Sequence, residues 1–442
     1  MSKHLRILGV LILLAAVLAA CVVPTPEVVE KVVTQEVEVV VTATPEPAEE
    51  ATIKVWYTSG NPAEIQLMED LSAKFEEAHP GVTVEFSPYG FDDLRKNFKL
   101  ALDTQTGPDI TYLGPGSGMA EGGDLGLLLD LAPYVKQRGW DQAFDMEMNQ
   151  AYNPWPGQIY GMAYDIVTIG AYYNKDIFNE LGLGPPETWE EYENVIVTLK
   201  DNGVTPFVTA GLDSWPLDHY FYTLAHLTTP YEEIEKVWRV EPDGNYAHEG
   251  FVEAMTILKD WIDKGYFNQE FMAVGNADAR DLFINGEAAM FIAGTWNTSA
   301  ILDGADFETG FFAVPSPNPD LEWRAVMTPN NFWVITEWTE YPDAALDYID
   351  YMLSEEVATA KWDAGDIPMY KFAAVPDPAS QLQLEIYDAT QKTKGGQYLA
   401  QYAHDVMQIQ WDAEALMAAG ELTPEEVQTM VQEAYEQKLA EE

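Results

Sequence analysis

Rings stand beside short polar side chains at several turns of this chain. It carries 13 tryptophans and 23 tyrosines among 442 residues. That supply serves a core, and it also suits a cleft with exposed rings. Trp215 sits in Asp213-Ser214-Trp215-Pro216, a loop position open to a cleft. Trp333 lies beside Asn330 and Asn331, where cleft and core are both open. Trp362 is a further candidate, and Trp411 reads as core. Asp165 follows Tyr164 and is either an acceptor for hydroxyl donors or a local cap. These residue types bind rather than break bonds. The chain has no Gly-x-Ser-x-Gly, no His-Glu-x-x-His and no phosphate-binding loop. No catalytic residue, metal ligand or cofactor is assigned. His4, His79, His219, His226, His248 and His404 are scattered. His219 and His226, seven apart on one expected helix, read as packing or surface rather than metal ligands. Asn297-Thr298-Ser299 matches a glycosylation sequon, a pattern common by chance.

Charge narrows the partners. The formal net charge is −50, from 73 acids against 23 bases. Such a field repels phosphate backbones and anionic headgroups, so no nucleic acid is expected. It also argues against a strongly anionic ligand. Apolar content of 47% implies a globular body, and the length implies two domains. Cys21 is the only cysteine, so no intramolecular disulfide is possible.

The N-terminus reads as an address. Lys3 and Arg6 precede an uncharged apolar run over 7–20, and Leu18-Ala19-Ala20-Cys21 closes it. This is a secretory signal pattern over 1–21, and it matches the bacterial lipoprotein box with Cys21 as the lipidated residue. An uncleaved anchor is the alternative, for which the run is short. Residues 22–51 are rich in Val, Glu, Thr and Pro, without Gly or an aromatic, and read as an extended spacer.

The elements that must position the candidates follow from periodicity. Ile53, Val55 and Tyr57 alternate on a first strand. A turn over 58–62 leads to a helix over 63–78 with Ile65, Met68, Leu71 and Phe75 on one face. A strand at 82–86, a helix at 91–102 and a strand at 107–113 complete a β-α-β-α-β order, which implies a parallel sheet. Ligands sit beyond the carboxyl ends of such strands. That logic alone places Thr58, Ser59, Asn61 and Gly114, within 58–61 and 114–117, at a mouth. Residues 158–192 read as a crossover between two lobes. Thr188 and Glu191 form a capping box for a helix toward 201, and Thr423 and Glu426 form another. Residues 310–315 read as the return crossover, and 331–336 as a strand.

Two stretches carry a resemblance. One is Tyr160-Gly161-Met162-Ala163-Tyr164-Asp165 with Tyr173-Asn174-Lys175-Asp176 and Pro186-Glu187-Thr188-Trp189. The other is Asn285-Gly286-Glu287-Ala288-Ala289-Met290 running to Gly294-Thr295-Trp296. Together with 107–110 and 127–134 they resemble the family-one extracellular solute-binding proteins of ABC transporters, over about residues 53–439. The resemblance implies an α/β, two-lobed periplasmic-binding-protein-like fold. Each lobe would be a mainly parallel sheet flanked by helices, with hinge crossovers between them. The expected lobes are 52–164 with 316–361, and 165–315 with 362–442. The resemblance also implies that Trp296 turns its ring to the ligand. A sugar fits such a cleft, since its C–H faces stack on rings and its hydroxyls meet short polar groups. The expected protein is a monomeric lipoprotein, held to the membrane by a lipid at Cys21. It would pass a neutral carbohydrate to the transmembrane subunits of an ABC permease. A secreted glycoside-active enzyme and a non-transport sugar sensor are the alternatives.

Overall fold

The computed structural model describes residues 50–441, apart from 60, 115–117, 154 and 400–402, and apart from the side chains of 147, 150, 404 and 441. The expected signal, Cys21 and nearly all of the spacer therefore lie outside the described residues. So do Gly60 and 115–117 of the expected mouth.

The first sheet begins as the alternation requires. β1 (Ala51–Thr58) buries Ile53, Val55 and Tyr57 and leaves Thr52 and Lys54 outside. It pairs in parallel with β2 (Val82–Tyr89) and β3 (Ile110–Leu113). Helix Pro62–Ala78 covers it through Met68, Leu71 and Phe75. Burying each of these side chains contributes roughly 1.5–3 kcal/mol. β4 (Met162–Ala163) lies at the far edge. Its neighbour across the sheet, introduced below, runs antiparallel to both β3 and β4, so this sheet is mixed.

The second sheet is built on β5 (Asp165–Asn174), whose ten residues are buried almost throughout. The expectation of a mainly parallel sheet fails here. β6 (Met290–Gly294), β7 (Thr309–Phe312) and β8 (Arg324–Pro329) all pair antiparallel with β5. Helices intervene in the chain between β5 and β6 and between β6 and β7, yet each strand enters beside β5 in the opposite direction. Parallel bridges join Phe207 to Phe267 and to Met290.

β9 (Phe332–Ile335) closes the first sheet between β3 and β4. The chain therefore returns to the first lobe at 330–331. The expected return at 310–315 is instead β7, still in the second sheet. Residues 316–329 belong with the second lobe for the same reason. A further crossing runs from helix Glu355–Asp363 to β10 (Ile367–Pro368), which pairs with β5. β11 (Lys394–Gly396) pairs with β8.

Separate cores match the two sheets. One gathers Ile53, Phe98, Ile110, Trp333 and Ile349. Another gathers Ile169, Tyr192, Phe207, Phe251 and Val431. Both capping boxes form. Thr188 Oγ1 accepts from Glu191 N at 3.2 Å and Thr423 Oγ1 from Glu426 N at 3.2 Å, while the glutamates accept from the threonine backbones. No described helix is long and apolar enough to cross a membrane.

Candidate functional site

The crossings at Tyr164, at 330–331 and at 363–366 bring the two sheets together around a cavity of about 660 Å3. This lies within the ~300–1,000 Å3 usual for a small-molecule site. Its walls differ in kind. The first lobe supplies Thr58, Ser59, Asn61, Tyr112 and Gly114 from the ends of β1 and β3. The second lobe supplies Trp215, His219, Tyr222, Trp296, Tyr398 and Trp411. The crossings supply Asp165, Asn330, Asn331 and Asp366. Most rings stand on the second-lobe side, which also brings Asp213, Asn276 and Arg280, while Phe91 joins the short polar residues of the first.

The aromatic wall is assembled from three segments. Helix Trp215–Thr228 starts with Trp215 and carries His219 and Tyr222 at the helical spacing that puts them on one face. β6 ends in a 3-10 turn, Thr295–Asn297, which presents Trp296. The Trp215 and Trp296 rings meet edge-on at 6.1 Å, and His219 lies 5.1 Å from the first and 5.4 Å from the second. Burial pushes the His219 imidazole down to about 3, so it is neutral and works as a ring. Helix His404–Ala418 adds Trp411, whose Nε1 donates to Asp218 Oδ2 at 2.6 Å. Asp218 is itself raised to about 6 by burial. Glu414 beside it is raised well above the carboxylate range by burial and by the Asp218 charge. Asp218 Oδ1 and Glu414 Oε2 are buried with no hydrogen-bond partner. Burial beside a second carboxyl favours the protonated form of Glu414, and Asp218, accepting from Nε1, holds the Trp411 indole in place.

The floor is ionic. Lys361, 1% exposed, donates to Glu64 Oε1 at 2.9 Å and pairs with Asp366 Oδ2 at 2.6 Å. Glu64 also accepts from Tyr57 OH and Ser59 Oγ, each at 2.7 Å. Burial by itself would raise Glu64. The Lys361 ammonium and these hydroxyls override it and hold the carboxyl below its ordinary value. Burial would equally lower Lys361, but Asp366 and Glu64 keep it well above the usual lysine range. Asp165 accepts from Tyr112 OH at 2.8 Å, with Asn330 Nδ2 a distant donor at 3.5 Å. Burial pushes Asp165 up to about 7, against the pull of Lys361.

Contacts also cross the gap. Asn61 Nδ2 donates to Ser299 Oγ at 2.5 Å, and Phe91 meets Trp215 edge-on at 6.5 Å. Asn61 is meanwhile the N-cap of helix Pro62–Ala78, accepting from Ala63 N at 3.0 Å.

Eight of the expected site residues line this cavity: Thr58, Ser59, Asn61, Gly114, Asp165, Trp215, Trp296 and Asn331. Tyr164, Trp333 and Trp362 do not. Trp333 points away because β9 is a central strand covered on both faces. Its ring packs between Tyr112 at 4.8 Å and Tyr348 at 5.9 Å. Tyr164 is buried one layer below the floor, its OH 3.1 Å from Tyr57 OH, with the Lys361 ammonium 5.4 Å from its ring. Trp362 turns into the second lobe, where Nε1 donates to Asp377 O at 2.9 Å. Trp411, read as core, lines the cavity. Asp366, Tyr112, Tyr222 and Tyr398 escaped the sequence reading. The i, i+4 relation of Trp215 to His219 was the one local signal available. Among the described residues no group of three or more His, Cys, Asp or Glu is placed to hold a metal.

Comparison with known proteins agrees with this architecture. The family model described as bacterial extracellular solute-binding protein matches residues 60–359. The chain is 24% identical over 301 residues to an uncharacterized ABC transporter extracellular-binding protein of Pyrococcus horikoshii, covering 66% of each chain. It is 27% identical over 230 residues to a multiple sugar-binding protein of Streptococcus mutans, covering 51% of this chain and 54% of that one. The match thus spans about two thirds of the first relative's length and about half of the second's. Among solved structures, one titled chitin oligosaccharide binding protein superposes with a TM-score of 0.81 at 22% identity, covering 88% of this chain and 99% of that chain. That likeness establishes the fold: two lobes of mixed helix and sheet about a cleft. The chain belongs to the bacterial extracellular solute-binding protein family.

Proposed function

We propose that this chain is the substrate-binding component of an ABC importer. It captures a neutral carbohydrate, an oligosaccharide or sugar derivative, between its lobes and delivers it to a membrane permease. The observation that carries this reading is the split character of the cavity. Trp215, Trp296, Tyr398 and Trp411 offer rings on one side, and Thr58, Ser59, Asn61, Asn331 and Asp165 offer hydrogen-bonding groups on the other. A sugar ring has C–H faces for the first wall and hydroxyls for the second. The sugar-binding name of the Streptococcus relative supports the same class. The family's members are binding proteins outside the cytoplasm, and this chain works there as a receptor rather than as an enzyme. The test is thermal shift and calorimetry against maltotriose, raffinose and chitotriose. Binding at ~100 times Kd stabilises by about 2.7 kcal/mol and raises Tm. A flat response to all three, with binding of peptides or polyamines, would replace the ligand class.

We further propose that the protein is a monomer anchored by lipid at Cys21, with 22–51 as its spacer. The Leu18-Ala19-Ala20-Cys21 sequence supports this reading. Labelled palmitate should enter the wild type in cells, and Cys21→Ala should release the protein from membranes. Unlabelled wild type would refute the anchor, and size exclusion tests the monomer.

A further inference from the structure

The cavity floor holds more acid than base. Glu64, Asp165 and Asp366 share it with one ammonium, Lys361. Lys361 spends its charge on Glu64 and Asp366, and Glu64 has two further donors in Tyr57 and Ser59. Asp165 is left with Tyr112 alone at normal hydrogen-bond distance. A buried carboxylate has room for about four donors and is costly when so few are present. Asp165 also lies where the chain passes between lobes, as the first residue of β5, directly against the cavity.

We propose that Asp165 is a proton-linked anchor for the solute: it holds a proton in the empty cleft and releases it to bulk water when hydroxyl groups of the solute dock against it. This deepens the sugar-receptor reading and rests on it. The groups facing Asp165 are Tyr112 from β3, Tyr164 before β5, Lys361 from helix Glu355–Asp363, Asp366 before β10 and Glu64 from helix Pro62–Ala78. Burial dominates, and together these surroundings set the free carboxyl at about 7. Solute hydroxyls that donate to Asp165 bond its charged form more strongly than its neutral one, so they draw it downward. The sign follows. Affinity is highest above neutrality and falls as pH drops through 7, by up to about tenfold per pH unit until the bound-state value is passed.

Two measurements decide it. The first needs no ligand. Carboxyl carbon NMR of the full chain labelled at aspartate should show a resonance titrating near neutrality that is missing in Asp165→Asn. Tyr112→Phe, which removes the strong donor, should move that midpoint up. Absence of a neutral-range carboxyl, or its survival in Asp165→Asn, overturns the proposal. The second is calorimetry with whichever of maltotriose, raffinose or chitotriose binds, in phosphate, HEPES and Tris at pH 6, 7 and 8. The expected result is release of a sizeable fraction of one proton per sugar near pH 7, lost in Asp165→Asn. Enthalpies independent of buffer overturn the proposal and leave the receptor reading standing. Proton release that persists in Asp165→Asn does the same and assigns the proton elsewhere, with the Asp218–Glu414 pair the next source. If none of the three sugars binds in any buffer, the carbohydrate reading fails, and the NMR result still judges Asp165.

Discussion

Single side chains set what the cleft holds. Trp296 and Trp215 contribute faces rather than hydrogen bonds. Trp296→Ala or Trp215→Ala should weaken sugar binding by roughly 10- to 100-fold, about 1.4–2.8 kcal/mol, with little loss of Tm because both rings border the cavity. Calorimetry checks the first part and melting the second; unchanged affinity in both variants would remove the aromatic wall from recognition. Lys361 has the opposite role. It is buried and answers two carboxylates at once. Lys361→Met strands both, and breaking a buried pair in this way costs about 3–5 kcal/mol. The pH dependence has a definite sign. In the wild type the lowered Glu64 favours folding above the ordinary carboxylate range and loses that contribution as pH falls. In the variant both carboxyls are raised, so acidification from pH 7 to 5 should narrow the stability gap to wild type. Urea melts at the two pH values measure it, and a gap that widens toward pH 5 would contradict the assigned pairing.

Elements aim those side chains. β6 runs out of the second sheet and its last residue, Gly294, lies flat against the Trp296 ring. A Cβ there would sit 1.9 Å from the ring carbon Cζ3. Gly294→Ala must therefore push the indole out of its place. The expected outcome is loss of sugar affinity comparable to Trp296→Ala, with the fold retained, read by calorimetry alongside circular dichroism. Normal affinity would mean that the turn yields and the ring keeps its place. Helix Trp215–Thr228 works similarly from the other side. It buries almost every residue, so its one cavity-facing stripe of Trp215, His219 and Tyr222 has no freedom to swing away. Rigid elements of this kind hold a binding wall more firmly than a loop does.

The whole molecule adds a field and a hinge. Three crossings join the lobes, and each places polar residues in the cavity, so the junction between the lobes is itself part of the site. The net charge of −50 works against compactness by self-repulsion. Raising NaCl from about 10 mM to about 1 M shortens the screening length from about 30 Å to about 3 Å. Tm should rise by a few degrees across that range; a steady fall would show that attractive ion pairs outweigh the repulsion.

The sequence by itself determined the local facts: the alternation of Ile53, Val55 and Tyr57 and the caps at Thr188 and Thr423. Each depends on residues within a few positions of one another, where periodicity and capping act. It also made the two-lobed family legible through 157–192 and 285–296. Only the tertiary structure decided which rings face the gap. Trp333 and Trp411 differ in nothing local that would send one inward and the other to the cavity. Their fates follow from what packs on the other side: Tyr348 over Trp333, and Asp218 gripping Trp411. The return crossing moved from 310–315 to 330–331 because strand partners are chosen across hundreds of residues, by sheet edges and shared cores, and that choice leaves no mark in a short window of sequence.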